Sequence, residues 1–215
     1  MNYLFMMALS VVGITYTKQE PMLHPSTYSI GDLLAANDLH YTVQDQEING
    51  ERVPFAIDIR DERVKSLQGL QDIPGIENCK ELSIRFTQIP VIAKSDFEGL
   101  SQLEKLSITN NPILHSIKSG SFASLTQLRS LDISYNDRLM LRMGMFDGLS
   151  SLQELNISNR HTRMLPMGWS KGLDNLQVIY VKSLGNLLIQ KAYKDLNGPM
   201  MLAKRGYKVK IVRRF

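Results

Sequence analysis

A nine-residue pattern that returns at a fixed interval constrains this chain more than any other feature. Residues 103–111 place apolar side chains at Leu103, Leu106 and Ile108 and end on Asn111. Residues 128–136 repeat the arrangement with Leu128, Leu131, Ile133 and Asn136, and a third copy opens at Leu152 with Leu155 and Ile157. Weaker copies start at Cys79 and Leu176. The steps from Leu82 to Leu106, Leu131, Leu155 and Ile179 are 24, 25, 24 and 24 residues. A period of this size is the mark of a solenoid, in which no unit can bury its apolar face alone.

Other columns repeat in phase. Phe97, Phe122 and Phe146 form one, followed by Leu100, Leu125, Leu149 and Leu173; Ile92, Ile117, Leu141 and Leu165 form a third. Within a unit, Leu106-Ser107-Ile108 alternates as a strand does, so Leu106 and Ile108 face a core and Lys105, Ser107 and Thr109 face away. The Asn after each strand has an amide that can satisfy backbone groups at a turn. Asn111 and Asn136 are therefore expected in a buried structural ladder, and Phe97, Phe122 and Phe146 in the outer core. Thr87 and Arg160 stand where Asn is expected, although Asn159 lies one place early, and Trp169 sits beside the Phe column. Those units are expected to have a weaker ladder or a shifted turn.

These columns resemble the leucine-rich repeat family in its form of about 24 residues. The resemblance covers roughly residues 57–181. It implies an α/β solenoid, a short right-handed horseshoe with parallel strands on a concave face and short helices or loops outside. It also implies a non-catalytic module that binds a protein partner on the concave sheet, with neither cofactor nor nucleic acid. The entry segment from Phe55 to Ile76 is similar to those of bacterial repeat proteins from host-associated organisms. That likeness implies an exported protein recognising a host or envelope protein. The alternative is an intracellular adaptor or scaffold subunit of a larger complex.

The domain reading follows from these limits. Residues 1–17 hold an apolar run from Tyr3 to Ile14, shorter than the roughly 20 residues of a membrane span and suited to a signal peptide. It lacks a leading Lys or Arg. Secretion or a periplasmic location is expected if it is cleaved near residues 13–17, and a cytoplasmic one if it is not. Residues 18–52 form a linker and N-terminal cap, with a helix begun by Ser29 and ended by Asn37 and a turn at Asn49-Gly50. Residues 53–184 make about six repeat units, and 185–215 a C-terminal cap closed by a strand near Val209. A monomer without a stable membrane span is expected.

No catalytic constellation is visible in the sequence. His24, His40, His115 and His161 are scattered, without metal-ligand spacing. The lone Cys79 cannot form an internal disulfide and falls in an apolar column. Net charge is +4, from 25 basic and 21 acidic residues, which is too modest to argue for nucleic acid. What remains is the outward set of strand residues: Asp58, Arg60, Ser83, Arg85, Lys105, Ser107, Asp132, Asn156, Tyr180 and Lys182. Arg60 and Arg85, one repeat apart, are expected to grip a carboxylate of the partner, with Tyr180 as the aromatic anchor.

Overall fold

The computed structural model describes residues 28–160, 166 and 168–180, together with the backbone of 14–15 and 208–210. Strand β1 is Ile14–Thr15 and β2 is Tyr28–Ser29. Helix α1 (Ile30–Ala35) starts at Ser29, whose hydroxyl accepts from the Asp32 N–H while the Asp32 carboxylate accepts from the Ser29 N–H. This reciprocal box satisfies two donors that a helix start leaves open. Asn37 takes the left-handed conformation (φ 52°) just past the helix.

Strands β3 (Tyr41–Ile48) and β4 (Glu51–Arg60) then form an antiparallel hairpin. Its turn residues Asn49 and Gly50 both have positive φ, matching the right-handed twist of the strands. After β5 (Val64–Ser66) come two single 3-10 turns, Leu70–Asp72 and Ile76–Asn78. The remaining elements are β6 (Glu81–Arg85), β7 (Val91–Ile92), β8 (Lys105–Thr109), β9 (Ser116–Ile117), β10 (Ser130–Asp132), β11 (Glu154–Asn156), β12 (Val178–Tyr180) and β13 (Lys208–Lys210).

One sheet runs β1-β3-β4-β6-β8-β10-β11-β12-β13. It is parallel from β4 to β12, and an antiparallel strand lies at each end: β3 against β4 and β13 against β12. Ile57, Leu82, Leu106, Leu131, Leu155 and Ile179 are cross-strand partners in one row, all buried. The 24- and 25-residue steps thus become a register without slippage, as a buried face demands. Val209 stands opposite Ile179 at the last step. The outer leg of each unit is mostly turns, with a two-strand parallel patch of β7 and β9.

Phe97 and Phe122 stack at 5.8 Å, and Phe146 meets Trp169 edge-on at 6.3 Å. Trp169 is therefore in the Phe column, contrary to its expected place beside it. The chain loses one residue between Ile157 and Asn159 and regains it between Trp169 and Leu173. Both side chains stay in the column because the buried rows, not the residue count, set the register.

The asparagine ladder reaches backward along the chain. Asn111 Oδ1 accepts from the N–H and hydroxyl of Thr87, and its Nδ2 donates to the Ile84 carbonyl. Asn136 Oδ1 accepts from the Asn111 N–H, and its Nδ2 donates to Ile108 and Ile133. Asn159, not Arg160, makes the next rung, accepting from the Asn136 N–H and donating to Ile133.

A part-buried ion cluster centred on Asp61 fixes the hairpin to the first return leg. Asp61, its side chain 1% exposed, accepts from the Arg63 guanidinium and from the N–H groups of Arg63 and His40. Arg63 also donates to the Asp38 carboxylate and carbonyl, both at 2.6 Å. Burial pushes the Asp61 carboxyl up, but these donors together outweigh it and hold it below its ordinary value. A depressed folded pKa gives stability that is present above the unfolded value, near pH 4, and lost as pH falls through the folded one. The thermal midpoint should hold from neutrality to about pH 5 and drop below about pH 4, with a shallower acid slope in Asp61→Asn. An identical slope in that variant would remove Asp61 as the cause.

Candidate functional site

The outward residues of the parallel strands meet on one face of the sheet. Asp58, Ser83, Ser107, Asp132, Asn156 and Tyr180 form its central row, paired strand to strand. Ser107 is half-buried and Lys105 exposed on β8. Lys182 lies outside the described residues, as do His24, His161 and Leu165.

Two shallow depressions lie on this face. One, about 340 Å³, is bounded by the hairpin and the first repeats, with Asp58, Arg60, Glu81, Ser83 and Arg85 on its floor and walls. The other, about 230 Å³, is lined by Ser130, Asp132, Glu154, Asn156 and Tyr180.

The first depression is built around an internal carboxylate. Arg60 and Arg85 already hold a carboxylate of their own chain. Arg60 Nε donates to Asp58 Oδ2 at 2.8 Å, while Arg85 donates through Nε to Oδ1 at 3.0 Å and through Nη2 to Oδ2 at 2.6 Å. Two guanidiniums one strand spacing apart repel, and Asp58 on the same face offsets that repulsion. The Arg60 Nη groups have no partner among the described residues, so Asp58 sets the plane of a fork that still points to solvent. Beside it, Lys105 Nζ donates to Glu81 at 2.5 Å.

Neutral donors around the Asp132 carboxylate organise the second depression. Asn156 Nδ2 donates to Asp132 Oδ2 at 3.0 Å, and the Asp132 and Asn156 side chains accept from the N–H groups of Ser134 and Ser158. Such cross-strand bonds fix side-chain rotamers before any partner arrives.

The flanking row is less open than alternation implies. Thr109 is 7% exposed and Ser134 1%. The chain turns into the left-handed region at Phe86, Asn110 and Tyr135 (φ 56°, 57°, 57°), and the strand ends tuck inward there. Phe86 and Tyr135 are themselves 53% and 55% exposed. Sequence reading passed over them, although an aromatic in the column that holds Asn110 was the available signal. Large side chains rarely take this backbone conformation.

Among the described residues, His40, His115 and Cys79 lie apart. His40 is at the Asp61 cluster and His115 is exposed on an outer loop. Cys79 is buried, its Sγ donating to the Glu81 carbonyl at 2.8 Å, and burial pushes its thiol pKa up to about 11. Among the described residues, no cluster of His, Cys, Asp or Glu could hold a metal ion, and no helix is long and apolar enough to cross a membrane.

Residues 77–137 match the family model described as Leucine rich repeat. This is a leucine-rich repeat solenoid. Among solved structures, the TLR13–ssRNA13 complex is similar at 20% identity and a TM-score of 0.58, over 66% of this chain and 20% of that one. The Toll–Spatzle complex of Drosophila is similar at 21% identity and a TM-score of 0.50, over 61% of this chain and 18% of that one. The chain thus spans about a fifth of the length of each leucine-rich repeat chain, and the likeness is one of fold. No curated protein sequence gives a match.

Proposed function

We propose that this chain is a non-catalytic recognition module whose leucine-rich repeat sheet holds a protein partner on its concave face. The observation that carries the reading is the row from Asp58 to Tyr180. It is a polar surface hollowed at two places and held at each by a cross-strand bond, Arg85 to Asp58 and Asn156 to Asp132. Preorganised side chains lose little freedom on binding. One structural relative is in complex with single-stranded RNA. Here Asp132 and Glu154 line the second depression without an ion-pair partner among the described residues, and these carboxylates oppose a phosphate backbone. They favour protein. Lys182 and Tyr180 belong to the same proposed surface, and the module acts as a monomer.

The test is capture of partner by variants matched on opposite faces. Ser107→Arg with Tyr180→Ala should weaken capture about tenfold or more, equivalent to about 1.4 kcal/mol. Lys118→Glu with Gln127→Arg, on the outer side, should leave it unchanged. The opposite ranking moves the binding surface to the convex side. We also propose export of the chain. A mature terminus within residues 14–18 in secreted protein supports it, and an intact Met1 in cells favours the adaptor.

A further inference from the structure

The two depressions differ in charge, and the difference has a direction. At the first, Asp58 is compensated by two guanidiniums and Glu81 by Lys105, which leaves one positive charge in excess. The exposed Nη groups of Arg60 face solvent there. At the second, among the described residues, Asp132 accepts only from neutral donors, the Ser134 N–H and the Asn156 amide. Glu154, exposed on β11, has no hydrogen-bond or ion-pair partner among the described residues. Two carboxylates therefore stand without a contact ion pair among the described residues beside Tyr180, Lys105 reaching Glu154 only through space. Strand β13 pairs with β12 at that edge, Lys208 with Tyr180 and Lys210 with Val178 in register.

We infer that the concave face reads a partner segment of mixed charge, with an acidic side chain seated at Arg60 and Arg85 and a basic one at Asp132 and Glu154. This rests on the proposed concave binding and adds its polarity. Asp58 and Asp132 are three strand steps apart, roughly 14 Å at about 4.8 Å per step. An extended segment covers that distance in roughly four residues. A carboxylate suits the Arg60 fork, because a planar guanidinium held at Nε presents two parallel donors. A guanidinium or ammonium suits the far end, where Tyr180 adds an aromatic surface to the carboxylates. A uniformly acidic or uniformly basic partner would meet repulsion at one end, so the arrangement selects as well as attracts.

The experiment uses the full chain and two probes, acetyl-glutamate amide and acetyl-arginine amide, titrated separately and followed by residue-resolved NMR. The acidic probe should saturably shift the Arg60 and Arg85 side-chain signals. The basic probe should shift Asp132, Asn156 and Tyr180. Arg60→Gln with Arg85→Gln should weaken the acidic probe about tenfold and leave the basic one unchanged; Asp132→Asn with Glu154→Gln should do the reverse. Thermal midpoints check that each variant folds, and single substitutions replace any pair that does not. Both probes at one end, exchanged ends, or no saturable shift with either probe would overturn the polarity while leaving concave capture intact. Capture indifferent to Ser107→Arg would overturn the concave reading whatever the probes do.

Discussion

Asn136→Ala is expected to destabilise the fold by about 3 kcal/mol or more. Among the described residues the Asn136 side chain is the sole partner of the buried Asn111 N–H, and it donates to the carbonyls of Ile108 and Ile133. Each buried polar group left unsatisfied costs about 1–3 kcal/mol, and alanine at this site abandons two, the Asn111 N–H and the Ile108 carbonyl, because Asn159 still donates to Ile133. Water cannot replace the amide, because Asn136 is 0% exposed. Asn175 provides the comparison: its Nδ2 donates to the Ser150 carbonyl at 2.8 Å, but on an exposed edge where water can stand in. Asn175→Ala should therefore be nearly neutral. Urea midpoints measure both, and equal shifts would show that the ladder does not carry the turns.

Phe122→Ala should cost a similar amount, about 3–5 kcal/mol, by a different route. Phe122 is fully buried and stacks on Phe97, so truncation removes apolar contact from two units at once. The cavity cannot collapse easily, because the sheet on one side and the turns on the other are held by backbone bonds. Phe122→Leu should recover most of the loss, since it restores most of the volume. If Leu were no better than Ala, the aromatic stacking rather than the filling of space would dominate this column.

The solenoid was legible because its signal is redundant. Leu82, Leu106, Leu131 and Leu155 share a row for the same reason that they share a period, and burial enforces both. Trp169 shows the limit of counting. Two compensating one-residue changes leave the period intact while moving the aromatic one place, and only the packed column reveals where it belongs. The outward face was legible as a list of residues and less so as a surface. Alternation assigns Arg60 and Arg85 to solvent, but it says nothing about which neighbour they hold. Asp58 sits on the adjacent row, and opposite charges at one strand spacing pair before any partner does. Thr109 was misjudged because alternation fails at a strand end, where the left-handed turn at Asn110 redirects the chain.

The ladder's backward reach gives the chain a direction of assembly. Each rung asparagine completes the turn of the unit before it, as Asn111 does for Thr87, Asn136 for Asn111 and Asn159 for Asn136. During synthesis, which proceeds from the N-terminus, every emerging unit waits with an orphaned turn until its successor arrives. Loss of a unit from the C-terminal side uncovers buried donors in the unit left behind; loss from the N-terminal side frees only an amide that water can solvate. In a nearest-neighbour array, fraying should therefore begin at the C-terminal side and run inward. Amide hydrogen exchange would then show protection rising from β12 toward β6, a gradient set by the orientation of three asparagine side chains.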